Sequence, residues 1–339
     1  VPTSVAFAEL LPDTSADAIA RRWQAGGGDP APLAPLGTSV DGRVDIDLVR
    51  DGPHGLIAGT TGAGKSELLR TLVLSLAASV GPEHLNFVLV DYKGGSTFDA
   101  CTHLPHTVGL VTDLDDGLAE RALVSLDAEL HRRERILRSV GASDLTDYRS
   151  RAASDDGRLE PIARLVVVID EFAALAKELP DFLKALVGIA QRGRSLGVHL
   201  LLATQRPAGV VNDDIRANTN LRLALRLHDT PDAVDVVGDE LPAKFPRGLP
   251  GRSALRLGPD ELVVFQAARC TGPVPRRGAG GIVVECTGQG PTGALNSLDV
   301  EDADPRSELE TAAQAIVEAA ERLGVDAPHR PWVEPLPFP

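Results

Sequence analysis

The stretch that decides the fold of this chain reads Gly59-Thr60-Thr61-Gly62-Ala63-Gly64-Lys65-Ser66. It matches the P-loop pattern G-x-x-x-x-G-K-[ST], in which glycines let successive main-chain N–H groups point at phosphate oxygens. In such a loop Lys65 brings a charge to the β- and γ-phosphates, and Ser66 offers its hydroxyl to Mg²⁺. We therefore expect all eight residues to bind ATP with Mg²⁺. The alternative is a glycine-rich turn with a solvent-exposed lysine.

The flanks of this loop predict an α/β fold. The apolar segment Gly55–Ala58 precedes it as a strand, and Lys65–Val80 follows it as a helix whose N-terminus favours an anion. Other strands are predicted at Leu85–Asp91, Thr107–Val111, Leu165–Asp170, Val198–Thr204, Leu221–Leu227 and Glu261–Ala268. Further helices are predicted at Asp115–Val140 and Asp181–Gly193. Near-continuous apolar runs that alternate with helices indicate a mostly parallel, twisted sheet flanked by helices.

Two later strands end in polar residues that suit nucleotide chemistry. Leu165–Asp170 ends in a carboxylate and is followed by Glu171. Asp170 is the candidate for the Mg²⁺ shell, and Glu171 is the candidate general base that polarises the attacking water. The alternative for this pair is a helix N-cap. Gln205 follows the strand Val198–Thr204, where it could sense the γ-phosphate or orient the water, or simply be a polar turn residue.

Composition excludes several classes of protein. The 339 residues carry a net charge of −14 and only 12 aromatic side chains, which argues against a broadly basic or base-stacking nucleic-acid surface. No apolar run reaches the roughly 18 residues of a membrane span. Cys101, Cys270 and Cys286 lack paired spacing, which excludes a disulfide scaffold and a cysteine-based zinc motif. The start at Val1 and the absence of Met lead us to expect a piece of a longer cytoplasmic protein.

Two weaker signals favour structural roles. In the basic run Arg132, Arg133, Arg135 and Arg138, the interleaved Glu129 and Glu134 favour i,i+4 ion pairs on a solvated helix face over a nucleic-acid patch. The histidines that we considered as metal ligands lack suitable spacing and are expected to be structural or surface residues. They are His103, His106 and His199.

Beyond the phosphate loop, the sequence resembles the FtsK/SpoIIIE family of ring-forming motor ATPases, over roughly residues 36–268. The resemblance rests on five stretches around the three strand ends. They are Gly52-Pro53-His54-Gly55-Leu56, Asp91-Tyr92-Lys93-Gly94-Gly95, Leu130-His131-Arg132-Arg133-Glu134-Arg135, Gly193-Arg194-Ser195-Leu196-Gly197-Val198-His199-Leu200 and Ile215-Arg216-Ala217-Asn218-Thr219. It implies a RecA-like P-loop NTPase domain at 36–269. The preceding residues 1–35 would form an extension with a short helix, Ala16–Gln24. The following residues 270–339 would form a Gly/Pro-rich and acidic segment with one helix, Ser307–Leu323, and a linker-like end.

Within the family, the stretches at residues 91–95 and 193–200 are most similar to the type VII secretion (EccC-like) branch. That resemblance implies a motor domain for protein export, at the inner face of the membrane through an anchored parent protein, with neighbouring ATPase domains and a secreted substrate as partners. It also implies a ring with an arginine finger acting across subunits. Arg121 is the best match, with Arg194 and Arg222 as rivals, and an ordinary surface arginine is the alternative reading. A DNA translocase domain and a nucleotide-binding scaffold with little hydrolysis remain the alternative functions.

Overall fold

A computed structural model describes residues 1–92, 94–112, 116–154, 159–207, 209, 213–258, 261–274 and 306–331. Several predicted features lie outside the described residues. They are Lys93, Cys286, the acidic stretch Asp299–Asp304 and the linker-like end from Trp332 onward.

Within the described residues, ten strands form one sheet. They are β1 (Leu33–Ser39), β2 (Arg43–Asp47), β3 (His54–Ala58), β4 (Leu85–Asp91), β5 (Thr107–Thr112), β6 (Arg164–Asp170), β7 (Val198–Thr204), β8 (Leu221–Ala224), β9 (Arg252–Leu257) and β10 (Glu261–Ala267). The spatial order is β2-β1-β10-β9-β8-β3-β7-β6-β4-β5. Strands β8 through β5 in this order are parallel, whereas β9, β10, β1 and β2 extend the sheet as antiparallel strands. The predicted α/β class with a mostly parallel core is confirmed.

Helices cover both faces of this sheet. They are α1 (Phe7–Leu10), α2 (Ala16–Ala25), α3 (Lys65–Ser79), α4 (Asp116–Ser139), α5 (Leu145–Ala152), α6 (Phe172–Glu178), α7 (Pro180–Leu196), α8 (Asp213–Asn218), α9 (Thr230–Val237) and α10 (Glu308–Leu323). Short 3₁₀ turns occupy Asp99–Cys101 and Leu241–Lys244. In the part of the chain that is described, no helix has both the length and the apolar character needed to cross a bilayer.

The sheet separates two hydrophobic layers, and β6 shows how the sequence builds both. Val166 and Val168 pack on one face with α2, α3 and α10. Leu165, Val167 and Ile169 pack on the other face with α4 through α9. Because alternate side chains of a strand point to opposite faces, a strand buried on both sides must be apolar throughout. This is why the core strands were visible in the sequence as continuous apolar runs.

Some predictions of the secondary structure were wrong. The strand predicted at Leu221–Leu227 ends at Ala224. Leu225 N–H still bonds to the Ala58 carbonyl of β3 at 2.8 Å, but Leu227 N–H bonds to the Pro242 carbonyl at 3.1 Å instead. Strand β9 was not predicted, because the polar residues Arg252, Ser253 and Arg256 interrupt its apolar pattern. The short helices α5, α6, α8 and α9 were also missed, since each has eight residues or fewer and shows too little periodicity.

The two ends of the described chain meet on the face that carries α3. Helix α10 begins at a capping box between Ser307 and Glu310 and packs against α2 and α3. The buried Glu308 accepts the Phe7 N–H at 2.7 Å, which fixes the start of α10 to α1. Glu67 in the first turn of α3 accepts the N–H groups of Cys270 and Thr271 at 2.6 and 2.7 Å. The three-part domain division stays a prediction.

Candidate functional site

The site lies at the edge where the parallel strands end, because the carboxyl ends of parallel strands meet at one edge of a sheet. Strand β3 leads into the phosphate loop 59–66, and β7 on one side of it ends next to Gln205. Beyond β7, β6 ends at Asp170, which lies beside Asp91 at the end of β4. The structure thus brings together the loop, Asp170, Glu171 and Gln205, which are far apart in the sequence.

The backbone of the phosphate loop needs its glycines. Gly62 and Gly64 adopt φ values of +74° and +100°, in the left-handed region that side chains disfavour. A Cβ atom on Gly64 would also lie 2.8 Å from the main-chain nitrogen of Gly251. This approach is held by a hydrogen bond of 2.8 Å from Gly251 N–H to the Ala63 carbonyl. Gly64 then serves as the N-cap of α3, whose first residue is Lys65.

Lys65 is buried rather than exposed, so the alternative of a turn with a solvent-facing lysine is wrong. Its ammonium group makes a short contact with Asp170 Oδ1 and lies 2.9 Å from Glu171 Oε1. Burial, the largest effect, raises the pKa of the Asp170 carboxyl above its ordinary value, and Lys65 opposes this rise. An ammonium group between two buried carboxylates offsets charges that would be costly to bury alone.

Glu171 has a strained backbone, with φ 59° and ψ 39°, and is the single non-glycine residue of the described chain at positive φ. Such residues cost about 1–3 kcal/mol and persist where the surroundings enforce them. The alternative of an N-cap pair is not what the structure shows. Glu171 occupies the N-cap of α6 without a side-chain capping bond, and the Asp170 carboxylate accepts the Glu171 N–H at 2.9 Å.

Thr97, which sequence reasoning missed, links the two predicted metal ligands. Its hydroxyl donates to Asp170 Oδ2 at 3.3 Å and lies 3.5 Å from Ser66 Oγ. A carboxylate, two hydroxyls and nearby phosphates are the oxygen ligands that Mg²⁺ prefers, so these residues fit the ion. Thr97 follows β4. It could have been predicted from the sequence, because polar residues that follow a core strand reach this edge of the sheet.

Gln205 lies directly at the phosphate loop. Its Oε1 accepts a hydrogen bond of 2.7 Å from the Thr61 hydroxyl. The phosphate loop therefore orients the Gln205 side chain. A polar turn residue before Pro207 would not need such a contact.

A cavity of about 330 Å³ opens beside the first half of the loop. It is lined by Thr60, Thr61, Gln205, Arg206, Arg226, His228 and Arg247. We call this the basic cavity. Among the described residues that line it there is no carboxylate, although the whole chain carries a charge of −14. Sequence reasoning missed it, because its basic residues are scattered over three separate loops.

The three arginine-finger candidates occupy different places. Arg121 is exposed on α4. Arg194 lines a cavity together with His199 at the start of β7, which is the opposite edge of the sheet. The guanidinium of Arg222 donates to the carbonyls of Thr219 and Arg216 at 3.0 and 2.8 Å. The finger assignment stays a prediction, since it concerns a neighbouring subunit.

The weaker signals have structural explanations. Arg132 and Arg133 pair with Glu129 at 2.8 and 2.7 Å, the second at the predicted i,i+4 spacing. Glu129 and Arg133 are buried, however, so the expectation of a solvated helix face is wrong for them. Burial works against ionisation of Glu129, but the two arginines outweigh it and lower the pKa to about 2. His106 and His199 are buried and bond to the carbonyls of Val80 and Pro53 at 2.7 and 3.1 Å, whereas His103 is exposed.

Comparison with known proteins agrees with this geometry. The model of the FtsK/SpoIIIE family matches residues 34–209, which include the phosphate loop, Asp170, Glu171 and Gln205. The chain belongs to the FtsK/SpoIIIE family. Among FtsK/SpoIIIE relatives, it is 36% identical to the type VII secretion system protein EssC of Staphylococcus aureus (strain Mu50 / ATCC 700699), over 99% of this chain and 24% of that protein. It is 33% identical to the ESX secretion system protein EccC of Geobacillus thermodenitrificans (strain NG80-2), again over 99% of this chain and 24% of that protein.

The structure is also similar to that of the cytoplasmic domain of the Thermomonospora curvata type VII secretion ATPase EccC. The TM-score is 0.81 at 32% identity, and the match covers 98% of this chain and 36% of that chain. This FtsK/SpoIIIE chain therefore spans about a quarter of the length of the curated relatives it matches.

Proposed function

We propose that this domain binds ATP with Mg²⁺ and hydrolyses it. The observation that carries the proposal is the buried contact of Lys65 with Asp170 and Glu171, at the end of a loop in which Gly62 and Gly64 adopt left-handed backbone conformations. An ammonium group that already lies between two carboxylates is placed to exchange one partner for a phosphate. Membership of the FtsK/SpoIIIE family supports the same function.

Each residue has a role in this proposal. The Lys65 ammonium and N–H groups of the loop bind the phosphates, apart from those of Gly59, Thr60 and Ala63, which donate to main-chain carbonyls. Ser66 and Asp170 hold Mg²⁺. When bound, Mg²⁺ would neutralise charge on the phosphate oxygens. Glu171 accepts a proton from the attacking water, because it is the carboxylate next to the metal-binding one. Gln205 orients that water or senses the terminal phosphate, and Arg121 of a neighbouring subunit stabilises charge on the transferred group.

The larger protein would use this domain in protein export. The proposal rests on relatives named as type VII and ESX secretion proteins, which align over nearly the whole chain. Export implies neighbouring ATPase domains or subunits in a ring, a secreted protein as substrate, and a position at the inner face of the membrane. The basic run on α4 does not favour the DNA translocase alternative, since Arg132 pairs with Glu129 and Glu160 and Arg133 pairs with Glu129.

The test is ATP turnover and nucleotide binding by the wild-type domain and two variants. Lys65→Ala should lose most affinity for ATP, because it removes the charge that meets the phosphates. Glu171→Gln should bind ATP normally yet lose about 10²- to 10⁴-fold in turnover, since the amide cannot accept the proton.

The control is Arg50→Ala, which removes an exposed arginine of the segment between β2 and β3. ATP turnover that survives in Glu171→Gln would remove Glu171 from the base role. Wild-type protein that binds ATP without turning it over at any protein concentration would support the scaffold alternative instead. Turnover that rises with protein concentration, and falls in Arg121→Ala without loss of binding, would support the trans finger.

A further inference from the structure

The basic cavity lies on the terminal-phosphate side of the loop. Lys65 and Glu171 must approach the β/γ end of a bound triphosphate, because that is where the reaction occurs. Gln205 follows β7, which lies between β3 and β6, so it is located between the loop and the two carboxylates. Since Gln205 also lines the basic cavity, the cavity continues from the place where the terminal phosphate would lie.

Arg226 is fixed to the phosphate loop by its main chain. Its carbonyl accepts two hydrogen bonds from Thr60, one from N–H and one from the hydroxyl, both at 3.0 Å. It follows β8, the strand that pairs with β3 on the side away from β7. Any movement of the first half of the loop therefore carries Arg226 with it.

The side chain of Arg226 has donors left for a ligand. A guanidinium carries five N–H donors, and in the described structure one of its nitrogens, Nη2, donates to the Thr61 carbonyl at 3.4 Å. Arg226 is half-buried and lines the cavity. Arg206, His228 and Arg247 add further donors around the same space.

The charge of the cavity selects the class of ligand. Three arginines lie together in a chain that is acidic overall, and within the described lining no Asp or Glu neutralises them. Their mutual repulsion is relieved when an anion enters. Arginine is suited to phosphate, because its planar fork matches two phosphate oxygens.

We propose that the basic cavity is the subsite for the terminal phosphate, and that Arg226 of the same chain binds that phosphate. The proposal rests on the proposed function and deepens it. The domain would then distinguish a nucleoside triphosphate from a diphosphate with its own arginine, before any neighbouring subunit contributes a finger. Arg226 acts here as a residue that binds substrate, while Arg206 and Arg247 strengthen the local positive potential.

The experiment compares the affinities of Mg²⁺–AMP-PNP and Mg²⁺–ADP by calorimetry, in the wild-type domain and in Arg226 variants. Arg226→Ala should weaken AMP-PNP binding about 10- to 100-fold, the value of a lost charge-assisted hydrogen bond, and leave ADP affinity within about threefold. Arg226→Lys should fall in between, because an ammonium keeps the charge but lacks the fork. Arg206→Ala and Arg247→Ala should show smaller losses in the same direction. The control Arg50→Ala should leave both affinities unchanged.

Failure of the subsite proposal and failure of the proposed ATP binding would give different results. If Arg226→Ala leaves both affinities unchanged, or lowers both equally, the subsite is refuted, while ADP binding by the wild-type domain leaves the proposed function standing. Equal loss would mean that Arg226 merely shapes the loop. If the wild-type domain binds neither nucleotide, both proposals are refuted.

Discussion

At the scale of single residues, the site depends on backbone conformations that few side chains tolerate. Glu171 is held at positive φ, and this places its carboxylate within 2.9 Å of the Lys65 ammonium. Gly64 is at φ +100° and leaves no room for a Cβ atom against Gly251. Strain at a binding site is stable only where neighbouring strands fix the chain on both sides, as β3 and β6 do here.

Gly64→Ala should therefore impair both folding and binding. The added Cβ meets the main-chain nitrogen of Gly251 at 2.8 Å and forces an alanine to φ +100°, so the loop must shift. We expect a loss of about 1–3 kcal/mol in the free energy of unfolding and at least tenfold in ATP affinity. Urea denaturation and calorimetry measure the two effects. Gly248→Ala is the control, since a Cβ there meets nothing within 4 Å; equal behaviour of the two variants would contradict the argument.

At the scale of elements, a buried ion pair within α4 orients an arginine that bonds to α7. Glu129 and Arg133 are each 3% exposed, and Arg133 Nη1 also donates to the Leu196 carbonyl at 2.9 Å. This carbonyl lies at the end of α7, so the hydrogen bond from Arg133 links the two helices while Glu129 compensates the buried charge. Removal of one charge would leave the other buried and uncompensated.

Glu129→Gln should accordingly lower the free energy of unfolding by about 3–5 kcal/mol. The double variant Glu129→Leu/Arg133→Met should cost less than this single change, because it removes both charges and keeps apolar volume. Urea denaturation of the three proteins provides the comparison. A double variant that is less stable than Glu129→Gln would show that the hydrogen bond to Leu196, rather than the charge pair, stabilises the crossing.

Prediction from the sequence succeeded where the residues that define a feature are consecutive in the chain. Strands β4 and β7 were predicted with their observed bounds, because strands buried on both faces require unbroken apolar runs. The loop 59–66 was visible for the same reason, since its chemistry lies within eight consecutive residues. Prediction failed where the signal is shared between distant segments. Arg206, Arg226 and Arg247 become neighbours only when the ends of β7 and β8 and the loop before β9 meet.

At the scale of the whole molecule, three buried histidines and the half-buried His84 resist protonation. Burial is the main cause that lowers the pKa of His54, His84 and His106 to about 4 and that of His199 to about 3. Unfolded histidines take up protons near pH 6.5. Between pH 6.5 and 4 the unfolded chain therefore binds more protons than the folded one, and the free energy of unfolding falls as the pH is lowered.

The midpoint of thermal unfolding should thus decrease steadily as the pH is lowered from 7 to 5, before most carboxylates titrate. His106→Gln should reduce this dependence on pH, whatever its effect on the midpoint at pH 7, because one buried titrating group is removed. His103→Gln, at an exposed position, should leave the dependence as it is. A midpoint that stays constant over this range in the wild-type protein would rule out the linkage.

Glu67 connects helix α3 to residues 270–271 by hydrogen bonds, and this connection has a mechanical consequence. Its neighbour Ser66 belongs to the loop that we propose to bind the phosphates, while the Glu67 carboxylate accepts the two N–H groups at which the chain departs from the sheet. A shift of this turn on nucleotide exchange would reach residues 270–271 through the Glu67 carboxylate, and residue 268 through the hydrogen bond from the Thr71 hydroxyl to the Ala268 carbonyl.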